Sequence, residues 1–426
     1  MGTCVREKER LRVCLDARLV TGAAGGVEQT VIGLAHGLSQ LTDGDEEYLF
    51  LAHANGAEWL QPHLGGRCRL LPGPAIPRLT RAKQALKAAL PFSQNLWWHY
   101  RSFVPAEKPE LPRSDGTIER SRVDLVHFTL QSCDITRVPC IFQVQDLQHV
   151  HFPEFFSPQA RARREVLYRA SCSQARLVSV PTRWGKEDLA RQYGVPRDKI
   201  VVIPWAAALD AYAAPSPAEL AAVRRKFELP ERFLFYPAQT WPHKNHESLL
   251  EALAIVRERD GQNIPVICSG TLNSHYPQIR RRARELGLTS QVRFLGFVTP
   301  VELHALYTIG WSFVFPSKFE GFGMPVLEAF RAGVPVVCSS VTSLLELAGD
   351  AALFFDPDRP EDIANAISRL WQDEALRQVL VERGRSRVKE FSWVRSARIF
   401  RAHYRRLGNR ELTAEDRALI ELSTSL

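Results

Sequence analysis

Residues Phe315–Val337 read FPSKFEGFGMPVLEAFRAGVPVV, and this stretch decides the fold. The preceding residues make "WSFVFPS" an apolar run of strand length, and "VPVVC" follows at the far end. Between them lies a glycine turn and then a helix that starts near Pro325, a favoured first helical position. Gly333 stands where a helix cap is expected and Pro335 lies just beyond. Strand, turn, helix, strand is one unit of a parallel sheet. Two glutamates, Glu320 and Glu328, bracket the turn and the first helical residues. In open α/β sheets ligands gather where such strands end. Gly321 and Gly323 let backbone N–H groups approach a ligand, and the helix N-terminus adds unpaired donors with partial positive charge. A carboxylate accepts two hydrogen bonds, which suits a vicinal diol. Glu328 alone would read as a helix-start acid favoured by the dipole. Paired with Glu320 around the glycine turn, it reads as a hydroxyl binder.

The same alternation extends in both directions. Strand-like runs in the first half are "RVCLDARLV", "EYLFLAHA", "VDLVHFTL", "CIFQVQDL", "ARLVSVPT" and "KIVVIPWA"; in the second half they are "RFLFYPA", "IPVICSG", "VRFLGFV", "SFVFPS" and "VPVVC". They are short, apolar throughout and often β-branched, as strands buried on both faces of a parallel sheet are. Helical patterns such as "NHESLLEALAIVRERD" separate them. The expected class is α/β, doubly wound. At 426 residues the chain exceeds one ordinary domain. The Ala/Pro-rich segment Ala206–Leu220 reads as a linker. The expected division is 1–208, a linker 209–220, 221–391, and basic C-terminal helices 392–426 that cross back to the first domain.

Composition sets further limits. With 45% hydrophobic and 24% charged residues the chain is globular. No apolar run reaches the ~18–20 residues that span a bilayer, and the N-terminus lacks a signal-peptide core, so the expected location is the cytoplasm. The eight cysteines form no C-x-x-C pair and read as buried thiols. A net charge of +8 favours anionic partners. The basic runs "RARREVLYR" and "IRRRAREL" read as solvated helix faces, so no nucleic-acid partner is expected. Arg78–Phe103 is basic and ends in aromatics. It is a candidate for peripheral contact with the inner face of a membrane, against the plainer reading of a surface helix and packed loop.

Several segments in order resemble glycosyltransferase family 4, retaining enzymes of the GT-B fold. "TGAAGGVEQTVIGLA", "RQYGVPRDKIVVIPWA", "FLFYPAQTWPHKNHESLLEAL", "VRFLGFVTPVELHALY", the paired glutamates and "FSWVRSARIFRAHY" carry the likeness along nearly the whole chain. The resemblance implies two Rossmann-like domains facing across a cleft, a nucleotide-sugar donor on the second, and no metal or other cofactor. By resemblance Glu328 holds the ribose hydroxyls and Glu320 those of the transferred sugar. Backbone N–H groups of Phe322, Gly323 and Met324 meet the sugar or phosphates, and Phe297 and Val298 hold the base edge. Lys244 faces the diphosphate, where a fixed ammonium stabilises the charge of the leaving group. The loop Gly25-Gly26 lies near the donor phosphate and the acceptor.

Two positions depart from the family pattern. Gln239 stands where many relatives carry arginine, and Gln145, beside Asp146, stands where they carry histidine. Lys318 is the expected substitute cation. His149 and His151 read as hydrogen-bonding or packed residues rather than metal ligands. The "PHKNH" form resembles enzymes of surface-polysaccharide assembly, several of them mannosyltransferases. The expected donor is GDP-mannose or a UDP-sugar, and the expected acceptor a glycan or lipid-linked glycan. A binding or scaffold member of a glycan-assembly complex is the alternative that Gln239 and Gln145 leave open.

Overall fold

Residues 10–20, 25–76 and 112–426 are described in a computed structural model. They contain thirteen strands in two sheets, and every pairing between these strands is parallel. The chain divides into two compact units. The first holds the N-terminal part, the described residues up to 205, and Ser392–Leu426; the second holds Ala206–Phe391. The segment Arg78–Phe103 lies outside the described residues.

The sheet of the first unit runs β3-β2-β1-β4-β5-β6-β7. Its strands are β1 (Arg12–Asp16), β2 (Glu47–His53), β3 (Cys68–Gly73), β4 (Leu125–Phe128), β5 (Cys140–Gln143), β6 (Leu177–Val180) and β7 (Ile200–Val202). The central strands are buried along their whole length, as their unbroken apolar sequences require. The helix Trp393–Leu407 packs on the helix Gly26–Ser39 at glycines: a Cβ on Gly33 would lie 2.0 Å from the Trp393 ring. Buried ion pairs of Arg405 with Glu46 (2.5 Å) and Asp416 (2.9 Å) fix the C-terminal helices to this unit.

The sheet of the second unit runs β10-β9-β8-β11-β12-β13. Its strands are β8 (Leu234–Pro237), β9 (Val266–Ser269), β10 (Val292–Phe294), β11 (Ser312–Phe315), β12 (Val336–Ser339) and β13 (Ala352–Phe355). The stretch that opens the sequence reading folds as β11, turn, helix Met324–Arg331, β12. That helix ends in a Schellman motif: Gly333, at φ 73°, donates to Phe330, and Val334 donates to Ala329.

β3 escapes a search for continuous apolar runs, and β13, although its ALFF is wholly apolar, is not among the runs singled out above. Both are edge strands with partly exposed residues, and β3 carries Arg69 and Pro72. Proline is tolerated there because an edge has N–H positions outside the ladder.

Candidate functional site

In each sheet the chain winds outward from two neighbouring central strands, β1 and β4 in the first and β8 and β11 in the second. Loops leaving the carboxyl ends of such a pair diverge to opposite sides and leave room for a ligand. In the second unit these loops are 238–245 and 316–323. They bring together two residues that are 76 positions apart: Lys244 Nζ lies 2.5 Å from Glu320 Oε1. Both side chains are mostly covered, 18% and 12% exposed. Neither points into bulk solvent.

The sequence explains why the pair is held. Pro242 starts a single 3-10 turn, Pro242–Lys244, and Asn245 ends it at φ 59°, a left-handed conformation asparagine tolerates. The Asn245 amide donates to the Pro357 carbonyl at 2.7 Å, and the buried Tyr236 hydroxyl donates to the Lys244 carbonyl. The Lys318 N–H donates to the His243 carbonyl at 2.8 Å, tying the two loops together. On the other side the Thr342 hydroxyl donates to the Glu320 carbonyl and accepts from the Glu320 N–H. Gly323 starts the helix Met324–Arg331 at φ 100°, and a Cβ there would lie 2.4 Å from Leu344 Cδ2. Only glycine fits this approach without movement of its neighbour.

Glu328 is on the same helix, 6% exposed. The Tyr307 hydroxyl donates to its Oε2 at 2.6 Å, and the backbone N–H of Ala208 donates to the same carboxylate. Burial pushes its pKa up to about 7, and these two hydrogen bonds oppose the rise. The carboxylate is therefore poised to change charge near neutrality.

Gln239 Oε1 accepts from the Trp241 indole N–H at 2.9 Å and from the Asn273 amide at 3.3 Å. Gln239, where the resemblance led to the expectation of an arginine, is thus a neutral amide that holds an indole. Lys318 Nζ pairs with Asp358 at 2.6 Å. Beyond β10, Phe297 is 69% exposed and Val298 is buried. Gly321, Phe322 and Met324 lie in the turn and at the helix start beside Glu320.

Comparison with known proteins adds the family. Residues 24–211 match the description "Glycosyltransferase Family 4", and residues 221–387 match "Glycosyl transferases group 1". The chain belongs to glycosyltransferase family 4. It is similar to the O-antigen chain mannosyltransferase B of Escherichia coli, 35% identical over 247 residues, which are 57% of this chain and 63% of that one. It is also similar to the serotype-specific mannosyltransferase WbdA of Escherichia coli, 34% identical over 42% of this chain and 22% of that one. The chain thus spans less than two thirds of these curated relatives. The structure of Anabaena Alr3699/HepE in complex with UDP and glucose superposes with a TM-score of 0.66 at 18% identity, covering 92% of this chain and 99% of that one. Likeness at that identity shows the fold, which is GT-B.

The first unit of this family 4 chain holds the remaining residues singled out in the sequence. Gly25 takes φ 49° at the start of the helix Gly26–Ser39. The Gln145 amide donates to the Thr129 carbonyl at 3.0 Å, a bond that imidazole is not needed to make. Asp146 accepts from the Gln148 N–H at 2.9 Å and lies 3.9 Å from Arg164. His149 bonds the Tyr193 hydroxyl and His151 bonds Asp188, both at 2.8 Å. The seven described cysteines are buried and unpaired.

Sequence reasoning missed two features. Tyr307 sat within "VRFLGFVTPVELHALY" without a role. Arg18, beyond β1, pairs with Asp16 at 2.7 Å and Asp134 at 2.8 Å. No local pattern announces that cluster, because Asp134 arrives from the loop after β4.

Proposed function

We propose that this chain is a retaining glycosyltransferase that moves a sugar, with mannose from GDP-mannose as the first candidate, to a hydroxyl of a glycan or lipid-linked glycan during surface-polysaccharide assembly. The observation that carries the reading is the contact of Lys244 with Glu320 where the loops after β8 and β11 meet, just before the helix Met324–Arg331 that holds Glu328. In this reading Glu328 accepts the ribose hydroxyls and Glu320 those of the transferred sugar. N–H groups of Phe322, Gly323 and Met324 face the phosphates or the sugar, and Phe297 and Val298 lie along the base. Lys244 stabilises the charge that grows on the departing diphosphate.

The acceptor hydroxyl attacks from the face the diphosphate leaves, and a leaving phosphate oxygen takes its proton. No protein base is then required. The protein contributes orientation and fixed charge. The ammonium does the work a divalent cation does elsewhere, so transfer is metal-independent. The names of the Escherichia coli relatives support mannose, and UDP with glucose in the HepE structure makes UDP-sugars the next donors to try. Among the described residues no helix is long and apolar enough to cross a membrane.

A panel of GDP-, UDP- and ADP-sugars in a thermal-shift assay tests the donor. A true donor at a hundred times its Kd stabilises by about 2.7 kcal/mol. Transfer in EDTA should match transfer in magnesium; activity lost in EDTA and restored by magnesium contradicts metal independence. Failure of every nucleotide sugar to stabilise the protein contradicts the reading as a whole. A binding or scaffold role is favoured by one observation, the neutral Gln239 engaged with Trp241. Measurable transfer or donor hydrolysis by the wild-type chain would exclude it.

A further inference from the structure

Glu328 is gripped by a residue with no part in the scheme above. Tyr307 lies in the helix Pro300–Ile309, and its ring stands edge-on to Phe235 of β8 (5.1 Å) and stacks on Phe313 of β11 (5.8 Å). These are the two strands that diverge at the site. The ring is fully buried, so its hydroxyl has one direction to point, toward Glu328 Oε2 at 2.6 Å. A carboxylate offers about four acceptor positions. Tyr307 takes one and the Ala208 N–H another. About two remain, the number a vicinal diol needs.

We propose that Tyr307 is the positioning residue for Glu328: its hydroxyl holds the carboxylate in the orientation and charge state that accept the ribose diol of a nucleoside diphosphate. This deepens the proposed function and rests on it. The hydrogen bond favours the charged form against the burial that disfavours it. Remove the hydroxyl and burial acts with less opposition. Glu328 then takes up its proton at higher pH, and one of its oxygens becomes a donor.

Most other charged groups on the elements packed against Glu328 have partners of their own: Glu302 pairs with Lys226, Arg377 with Glu374 and Arg383 with Asp350, while Lys389 on the segment Val388–Glu390 is exposed. Arg331, on the same helix, pairs with Asp210 of the segment Ala208–Ala211 at 2.8 Å. Arg385, on the helix Glu374–Arg387, pairs with Glu382, and Arg387 pairs with Glu390. His304, on the helix of Tyr307, is kept below its ordinary pKa first by burial. The packed strands β11 and β12 carry only serine, cysteine and apolar side chains. The Tyr307 hydroxyl is thus the side-chain donor that acts on Glu328 directly.

The test uses the full chain and calorimetric titration with GDP and UDP from pH 6 to 9. The wild-type affinity should fall as pH drops below about 7, following Glu328. Tyr307→Phe keeps the ring and deletes one oxygen. It should bind about tenfold more weakly at pH 7, as expected for a lost hydrogen bond to a charged group, and recover toward pH 9. The 2′-deoxy nucleotides lack the diol. With them, wild type and Tyr307→Phe should bind alike at every pH. Glu328→Gln should give a flat profile. A merely structural role would weaken ribo- and deoxy-nucleotides equally. That result, or a Tyr307→Phe profile superimposable on wild type, overturns the proposal. If neither nucleotide binds wild type at any pH, the proposed function itself fails, and this inference with it.

Discussion

The two sheets diverge from the same kind of central strand pair, yet they treat the cation at that point differently. Beyond β1 and β4, Arg18 lies between two carboxylates, Asp16 and Asp134. Burial works against its charge, but the hydrogen bonds and field of the two acids outweigh it and raise its pKa. Beyond β8 and β11, Lys244 faces one carboxylate, Glu320. An arginine shared by two acids has no charge left for an anion. An ammonium with one partner on a short turn can exchange that partner for a phosphate. The same topology thus supplies a closed structural cluster in one unit and an available cation in the other.

Substitution sharpens this contrast. Lys244→Ala should lower turnover by about 10²–10³-fold, the usual cost of removing a group aimed at developing charge, with acceptor and donor held at saturation. A mutant retaining near wild-type turnover would move the chemistry elsewhere. Arg18→Ala should act through stability instead. It leaves Asp16, 2% exposed, beside Asp134, and should cost about 3 kcal/mol in denaturant unfolding at pH 7. Asp134 already has a raised pKa, chiefly through burial. The defect should therefore shrink on acidification, as Asp134 becomes neutral. Nucleotide affinity measured on the folded Arg18→Ala protein should be unchanged; a large loss would make the first cluster part of the donor site.

The third expected effect concerns pH. Glu328 has a folded pKa of about 7 against an ordinary value of 4.5, so the folded state binds more protons than the unfolded one between these values. Its contribution to stability is fully present below about 4.5 and is lost as pH rises through about 7, with an upper bound of about 3 kcal/mol. Glu328→Gln can still accept from Ala208 and donate to a rotated Tyr307 hydroxyl. It should melt higher than wild type at pH 8 and near it at pH 5, while nucleotide binding is weakened. Equal melting differences at the two pH values would count against the buried charge. The smallest effect is expected of Lys318→Ala. Its pair with Asp358 is exposed, 29% and 69%, so the stability change should stay within about 1 kcal/mol. Unchanged donor affinity and turnover would show that Lys318 does not replace the cation absent at Gln239.

What was legible in the sequence follows from what is local. The turn, helix and caps around Glu320 and Glu328 lie within two dozen residues, and their positions can be read from glycine and proline spacing. The continuous apolar runs marked every strand buried on both faces. Edge position alone does not hide a strand, since β7 and β10 are edges too and lie in runs that the sequence marks; β3 was hidden by its arginine and proline, and the short apolar ALFF of β13 has no such reason. The contacts that build the site were not legible. Lys244 reaches Glu320, and Tyr307 reaches Glu328, only because β8 and β11 are neighbours while the chain between them visits the far edge of the sheet. Sequence spacing does not encode that order. The departure at Gln239 was visible as a missing charge, but its bond to Trp241 depends on the side-chain geometry of the loop.

The central claim is that the loops after β8 and β11 hold a nucleotide sugar through Lys244 and Glu328. Its most direct test is calorimetric titration of the wild-type chain, Lys244→Ala and Glu328→Gln with GDP-mannose, GDP and guanosine. GDP should bind wild type far more tightly than guanosine does, Lys244→Ala should erase most of that diphosphate advantage, and Glu328→Gln should weaken all three ligands. If both variants bind all three as wild type does, the site is elsewhere and the account is wrong.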